Sequence, residues 1–229
     1  MAGFKLTQPA LMLADQKITP DEMDAYGVYY VINPSISASW VGTRKSGTAD
    51  VKGITFNSVI LDYPRNLEYA ITGSSVGMAG TIAVTGRDQF GVAIAESCGF
   101  GSADNGGTVV GTKVFAHVTT GTVTFGTFAG ANGTATIGVG TSGTTCVFGL
   151  PVKLGGTQDV KILTYSTGTQ SKAINGGTVG GFVDATLHGI KSPTNLTGTE
   201  TYMVWYRSSY DPSGPNARVS VQANLPHRS

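Results

Sequence analysis

Residues 80–97 read GTIAVTGRDQFGVAIAES. Two strand-like runs, TIAVT and VAIAES, flank the polar centre GRDQFG, and the reading of that centre decides the fold. Ile82 and Val84 share one face of the first run, and Val92 and Ile94 share one face of the second. That period of two belongs to half-buried strands. Gly86 and Gly91 bracket the centre, so the stretch predicts a β-hairpin closed by a turn. Arg87 and Asp88 are adjacent, which gives their side chains no common direction on an extended chain. They are expected to solvate the hairpin tip or to touch a neighbouring subunit. The role is structural.

The same texture runs outward from this hairpin. After about residue 51 come VKGITFNSVILDY, GTKVFAHVTT, GTVTFGTF, TATIGVG, TTCVFGLPV, DVKILTY, GFVDATLHGI, TYMVWY and ARVSVQA, separated by Gly, Asn, Asp and Pro clusters. Roughly ten short strands with a turn signal about every dozen residues predict an all-β body, a β-sandwich, jelly roll or barrel. The first fifty residues differ. ITPDEMDAY carries a helix start, with Thr19 as N-cap, Pro20 in the first turn and Glu22 completing a capping box. Gly27 and VYYVI then return the chain to an extended form, and residues 33–50 read as a connector. The expected organisation is an extended N-terminal arm with one short helix, 1–50, and a single β domain, 51–229. The arm is more apolar than a free tail should be, which marks an interaction surface. Phe4, Leu6, Leu11, Leu13, Tyr29 and Tyr30, with Arg87 and Asp88 of the hairpin, are the candidate interface residues.

Composition narrows the function classes. The 229 residues hold Lys+Arg 15 against Asp+Glu 14, a formal net charge of +1. That balance lacks the basic excess of a nucleic-acid binder. Charged residues are 13 %, about half the usual share, and Gly is 33, about twice its usual frequency. Such a chain shields its strands by assembly rather than by surface charge. No apolar run approaches the roughly 20 residues of a membrane span, and MAGFKLTQPALMLADQK lacks the apolar core and cleavage site of a secretory signal. A soluble protein made in the cytosol is expected. Cys98 and Cys146 are read as buried free thiols, although two isolated cysteines leave their own pairing open.

The motifs that suggest chemistry fail on context. Gly138, Gly140 and Gly143 have the G-x-G-x-x-G spacing, but TTCVFGLPVKL follows where a dinucleotide loop needs a helix. Ser102 lies in a Gly-rich loop without the G-x-S-x-G elbow. His117, His188 and His227 are scattered, and Asp184 and His188 stand about 13 Å apart on an extended strand, so no metal site is expected. Asp62, Asp88, Glu96 and Asp184 form no carboxylate pair by motif. Neither an enzyme nor a bound cofactor is expected. Tyr202, Trp205 and Tyr210 in YMVWYRSSYDPSG are candidate glycan contacts, weighed against plain core packing.

Residues 62–154 carry a resemblance. DYPRNLEYAITG, GTIAVTGRDQFGVAIAES, VVGTKVFAHVT and IGVGTSGTTCVFGLPVKL look like Gly/Thr-rich β proteins attached to the capsids of tailed phages. The matching features are Thr85, Gly86, Asp88, Gly91 and Glu96, then Gly111, Lys113, Phe115, Gly149, Leu150 and Pro151. The resemblance implies a virion structural protein of the capsid decoration, or cement, type with a sandwich or jelly-roll body. It also implies a homotrimer whose partner is the major capsid protein and whose place is the capsid surface. The alternatives are a neck, collar or tail protein and a carbohydrate-binding adhesin module.

Overall fold

The computed structural model describes residues 25–46, 51–53, 55–56, 60–72, 80–100, 108–125, 133–139, 145–166 and 171–208. These residues form fifteen strands and two short 3-10 helices. In chain order the strands are β1 (Ala25–Ile32), β2 (Ser37–Ser46), β3 (Val51–Gly53), β4 (Thr55–Phe56) and β5 (Ile60–Thr72). Then come β6 (Gly80–Arg87), β7 (Ala93–Phe100), β8 (Thr108–Phe125), β9 (Gly133–Val139) and β10 (Val147–Gly149). The last are β11 (Val160–Ser166), β12 (Ser171–Asn175), β13 (Val183–Asp184), β14 (Gly189–Lys191) and β15 (Thr201–Ser208). The body is all-β and sandwich-like, and every pairing is antiparallel. No helix among the described residues is long and apolar enough to cross a membrane.

The predicted hairpin is β6–β7. Its ladder runs from Gly80 opposite Phe100 to Arg87 opposite Ala93, and β8 flanks β6 on the other side. Ile82 and Val84 point into the core as their alternation requires. Val92 does not share the face of Ile94, because it lies in the turn before β7 begins and is 55 % exposed. The inward face of β7 is instead Ile94, Glu96, Cys98 and Phe100. The two bracketing glycines act for different reasons. A Cβ at Gly86 would collide with the His117 carbonyl of β8, whereas Gly91 has φ +79°, the left-handed region that favours glycine.

Two strands are longer than their sequence suggests. GTKVFAHVTT and the GTVTF that follows are one strand, β8, because Gly121 stays in the ladder opposite Val84 instead of turning. In β5, Pro64 falls in the register break between Ile60 and Arg65, where its missing N–H costs no ladder bond. Residues 37–46, read from sequence as connector, form β2 and pair with β9 and β4. Within the expected arm, Ala25–Ser46 is thus paired to the chain's own strands. Residues 1–24, with the helix expected at Thr19–Glu22, lie outside the described residues.

Apolar faces collect into two cores. The first joins β5 to β9 around Leu67, Tyr69, Ile82, Phe115, Phe125 and Ile137. The second lies between the four-stranded sheet β1-β15-β11-β12 and the β10, β13 and β14 end of the larger sheet, around Phe148, Leu150, Leu163, Ile190, Tyr202 and Val204. Arg65 and Asn66 on β5 stand where the two meet. Arg65 is 0 % exposed, donates from Nη1 to the Ser35 carbonyl at 2.8 Å, and lies 4.9 Å over the Phe148 ring. Asn66 Nδ2 donates to the Gly111 and Thr145 carbonyls at 3.1 and 2.8 Å, and its Oδ1 accepts from Val147 N–H at 2.8 Å. One amide thereby joins β5, β8 and β10. Cys98 and Cys146 are free thiols, and burial pushes the pKa of each up.

Candidate assembly surface

The four-stranded sheet has one covered face. Val31 on β1, Tyr202 and Val204 on β15 and Leu163 on β11 are fully buried in the second core. Alternation therefore turns Val28, Tyr30 and Ile32, Met203 and Trp205, and Ile162 and Thr164 to the opposite face. The register places Tyr30 beside Met203, and Val28 and Ile162 on either side of Trp205. The face carries an apolar centre with Thr164, Thr201 and Arg207 beside it, and Tyr30 and Ile32 on it are 50 % and 51 % exposed. β1 is also the end of the sheet.

This parity separates the sequence candidates. Tyr30 is on the open face, while Tyr29 packs against the second core, where burial raises its hydroxyl pKa well above the usual value. Tyr202 is 0 % exposed and its hydroxyl is 2.9 Å from Ser192 Oγ, with burial pushing its pKa up to about 12. Its ring has no surface to offer a sugar. Trp205 is half-buried on the open face. Phe4, Leu6, Leu11, Leu13 and Tyr210 lie outside the described residues, as do Ser102 and His227.

Arg87 and Asp88 hold the hairpin tip to itself. Asp88 Oδ1 accepts from Phe90 N–H at 2.9 Å and Val92 N–H at 2.8 Å, and Arg87 Nη1 donates to the Gly91 carbonyl at 2.7 Å. The tip does not hang free. Gln89 Nε2 donates to the Leu187 carbonyl at 3.0 Å, and Phe90 meets the His188 ring edge-on with centroids 5.6 Å apart. A cleft of about 310 Å³ remains there, lined among others by Phe90, Ile94, Lys113, Lys153, Thr186 and His188. Its polar groups already serve the fold. Lys113 Nζ donates to the Ala95 carbonyl at 2.5 Å, and His188 Nδ1 accepts from Leu154 N–H at 3.1 Å. Burial, helped by Lys153, holds the His188 pKa below its ordinary value.

The carboxylates named from sequence are each held by their own neighbours. Asp62 accepts from Ser35 N–H at 2.6 Å, and Asp184 from Leu187 N–H at 3.0 Å while pairing with Lys191 at 3.5 Å. Glu96 is buried, accepting from the Tyr69 hydroxyl at 2.8 Å and from the N–H and Oγ1 of Thr112. Among the described residues no three His, Cys, Asp or Glu groups lie close enough to hold a metal ion. Sequence reasoning missed Arg65, Asn66 and the buried Glu200, whose carboxylate accepts from Thr197 and Gly198. No spacing motif marks them.

No family model and no curated protein matches the chain. Solved structures similar to it come from infectious bursal disease virus. One is a viral particle, at 12 % identity and TM-score 0.28, covering 84 % of this chain and 44 % of the other. A second is the VP2 subviral particle, at 12 % identity and TM-score 0.25, covering 80 % of this chain and 40 % of the other. The chain thus spans less than half the length of either.

Proposed function

We propose that the chain is a structural protein of a tailed-phage particle that decorates the head and cements neighbouring capsid subunits. The observation that carries this reading is the open apolar face of Val28, Tyr30, Ile32, Ile162, Met203 and Trp205. A protein that works by burying surface against neighbours needs such a face and no catalytic cleft. The hairpin, the G-x-K-x-F strand and the G-L-P segment that carry the family resemblance supply the choice of partner: the major capsid protein. Homotrimers on the outside of the head, made in the host cytoplasm, complete the proposal. Its mechanism is mechanical, many modest contacts summing to oppose internal pressure.

The test is addition of purified protein to heads that lack it. The expected result is many copies per head, none on the tail, and heads that survive higher temperature. Trp205→Glu together with Ile162→Asp should abolish binding while the free protein stays folded. Copies confined to neck or tail, or binding unchanged by the double variant, would overturn the proposal.

A further inference from the structure

Among the described residues six strands have a partner on one side only; β3, β4 and β13 are two or three residues long, and the longer three, β1, β7 and β12, are not treated alike. β7 ends the larger sheet, but that sheet curls until the first half of β8 reaches β7. Thr112 N–H then meets Glu96, and Lys113 Nζ takes the Ala95 carbonyl. β12, SKAIN, carries Lys172 and packs against the 3-10 helix Gly176–Phe182. Lysines and covering elements are usual protections of an edge. β1, AYGVYYVI, has no charge, proline or bulge in its ladder with β15. It is the bare one.

Its parity is fixed. Asn33 N–H bonds the Glu200 carbonyl on the β15 side, whereas the N–H and C=O of Ile32 both turn away and are met by the Tyr63 hydroxyl at 3.0 and 3.1 Å. Main-chain groups alternate along a strand, so those of Tyr26, Val28 and Tyr30 also face outward. No strand among the described residues pairs with that side. Tyr63 stops any ladder at Tyr30, leaving three residues able to accept a strand.

We infer that this edge pairs with the β1 edge of a second copy, antiparallel about a two-fold axis through Val28. The stretch Tyr26-Gly27-Val28-Tyr29-Tyr30 is palindromic at its outward positions. In this register Val28 opposes Val28, and Tyr26 opposes Tyr30 on both sides of the axis. Six main-chain hydrogen bonds form, two per opposed pair. An uncharged edge brings no like-charge repulsion when it meets itself. The two four-stranded sheets then continue as one eight-stranded sheet, with the two open faces side by side. The inference goes beyond the decoration proposal and does not depend on it. The contact joins copies in pairs, giving dimers, or hexamers where three-fold contacts also form.

Sedimentation velocity across concentration, with amide hydrogen exchange, tests it. The full chain should run as an even-numbered oligomer, and the Val28 and Tyr30 amides should slow at least tenfold between dilute and concentrated samples. Val28→Pro removes a donor that β15 does not use, so it should halve the mass and leave the fold intact. Tyr30→Lys, which places a charge on the edge, should do the same. An odd-numbered species would overturn the inference. So would amides protected equally at all dilutions, the sign of a segment of the same chain covering the edge. Fast Val28 and Tyr30 exchange in a paired species would locate the contact elsewhere and overturn it too.

Discussion

Asp88→Ala is the sharpest perturbation of the hairpin tip. It removes two hydrogen bonds, from Phe90 N–H at 2.9 Å and Val92 N–H at 2.8 Å, without touching the core. Bonds to a carboxylate contribute about 1.5–3 kcal/mol when buried. Here the residue is half-buried at the tip and water replaces the lost partner in part, so about 1 kcal/mol each, or about 2 in total, is expected. The ladder from Gly80 to Arg87 and the buried Ile82 and Val84 remain, so the fold survives. Urea denaturation should show a lower midpoint with an unchanged slope, since the surface exposed on unfolding is the same. Asp88→Asn keeps the acceptor oxygen and should recover at least half of the loss. Hydrogen exchange should quicken at Phe90 and Val92 before it changes in β8. A loss below about 0.5 kcal/mol, or an Asn variant as weak as the Ala variant, would refute the reasoning, because the acceptor role would then be idle.

Asn66→Ala should cost about 3 kcal/mol by urea denaturation, since three backbone groups of different segments, two of them in buried bonds, lose this partner at once. Gly86→Ala should cost at least about 2 kcal/mol, because its Cβ would meet a backbone carbonyl that can yield only if β6 and β8 separate. His188 has a folded pKa held below its unfolded value of about 6.5, so its contribution is complete above that pH and lost as pH falls through the folded value. Protonation of Nδ1 would also break the Leu154 bond. A pH series should show stability falling below about pH 6.5 in the native chain, and a flatter profile in His188→Gln.

The hairpin was legible because its determinants are local. Alternation at Ile82 and Val84, a glycine at the left-handed position and an Asx-type acceptor at Asp88 all lie within a few residues of one another. The long strands were not, and for a shared reason. Gly121 in β8 and Pro64 in β5 are turn signals to a local reading, but each is accommodated by a distant partner. Gly121 is opposed by Val84, and Pro64 falls in a register break against β8. β2 was hidden in the same way. Nothing in SASWVGTRKS alternates by hydropathy, and its strand character comes from pairing with β9.

The assembly surface shows where that limit falls for function. VYYVI is visibly apolar, and the tyrosines of β1 are natural interface candidates. Which tyrosine faces out is nevertheless a property of register, since a slip of one residue exchanges Tyr29 for Tyr30. That register is set by Tyr29 opposite Val204 and Tyr30 opposite Met203, far along the chain. The same register takes Tyr202 out of reach of any ligand and turns Trp205 outward. It also decides which main-chain groups of β1 are free, because Tyr63 of β5 can meet only the outward parity at Ile32. Composition says that so weakly charged a chain must protect its strands by contact. Topology says which edge is left to protect, and here it is the strand whose outward positions repeat when read backwards.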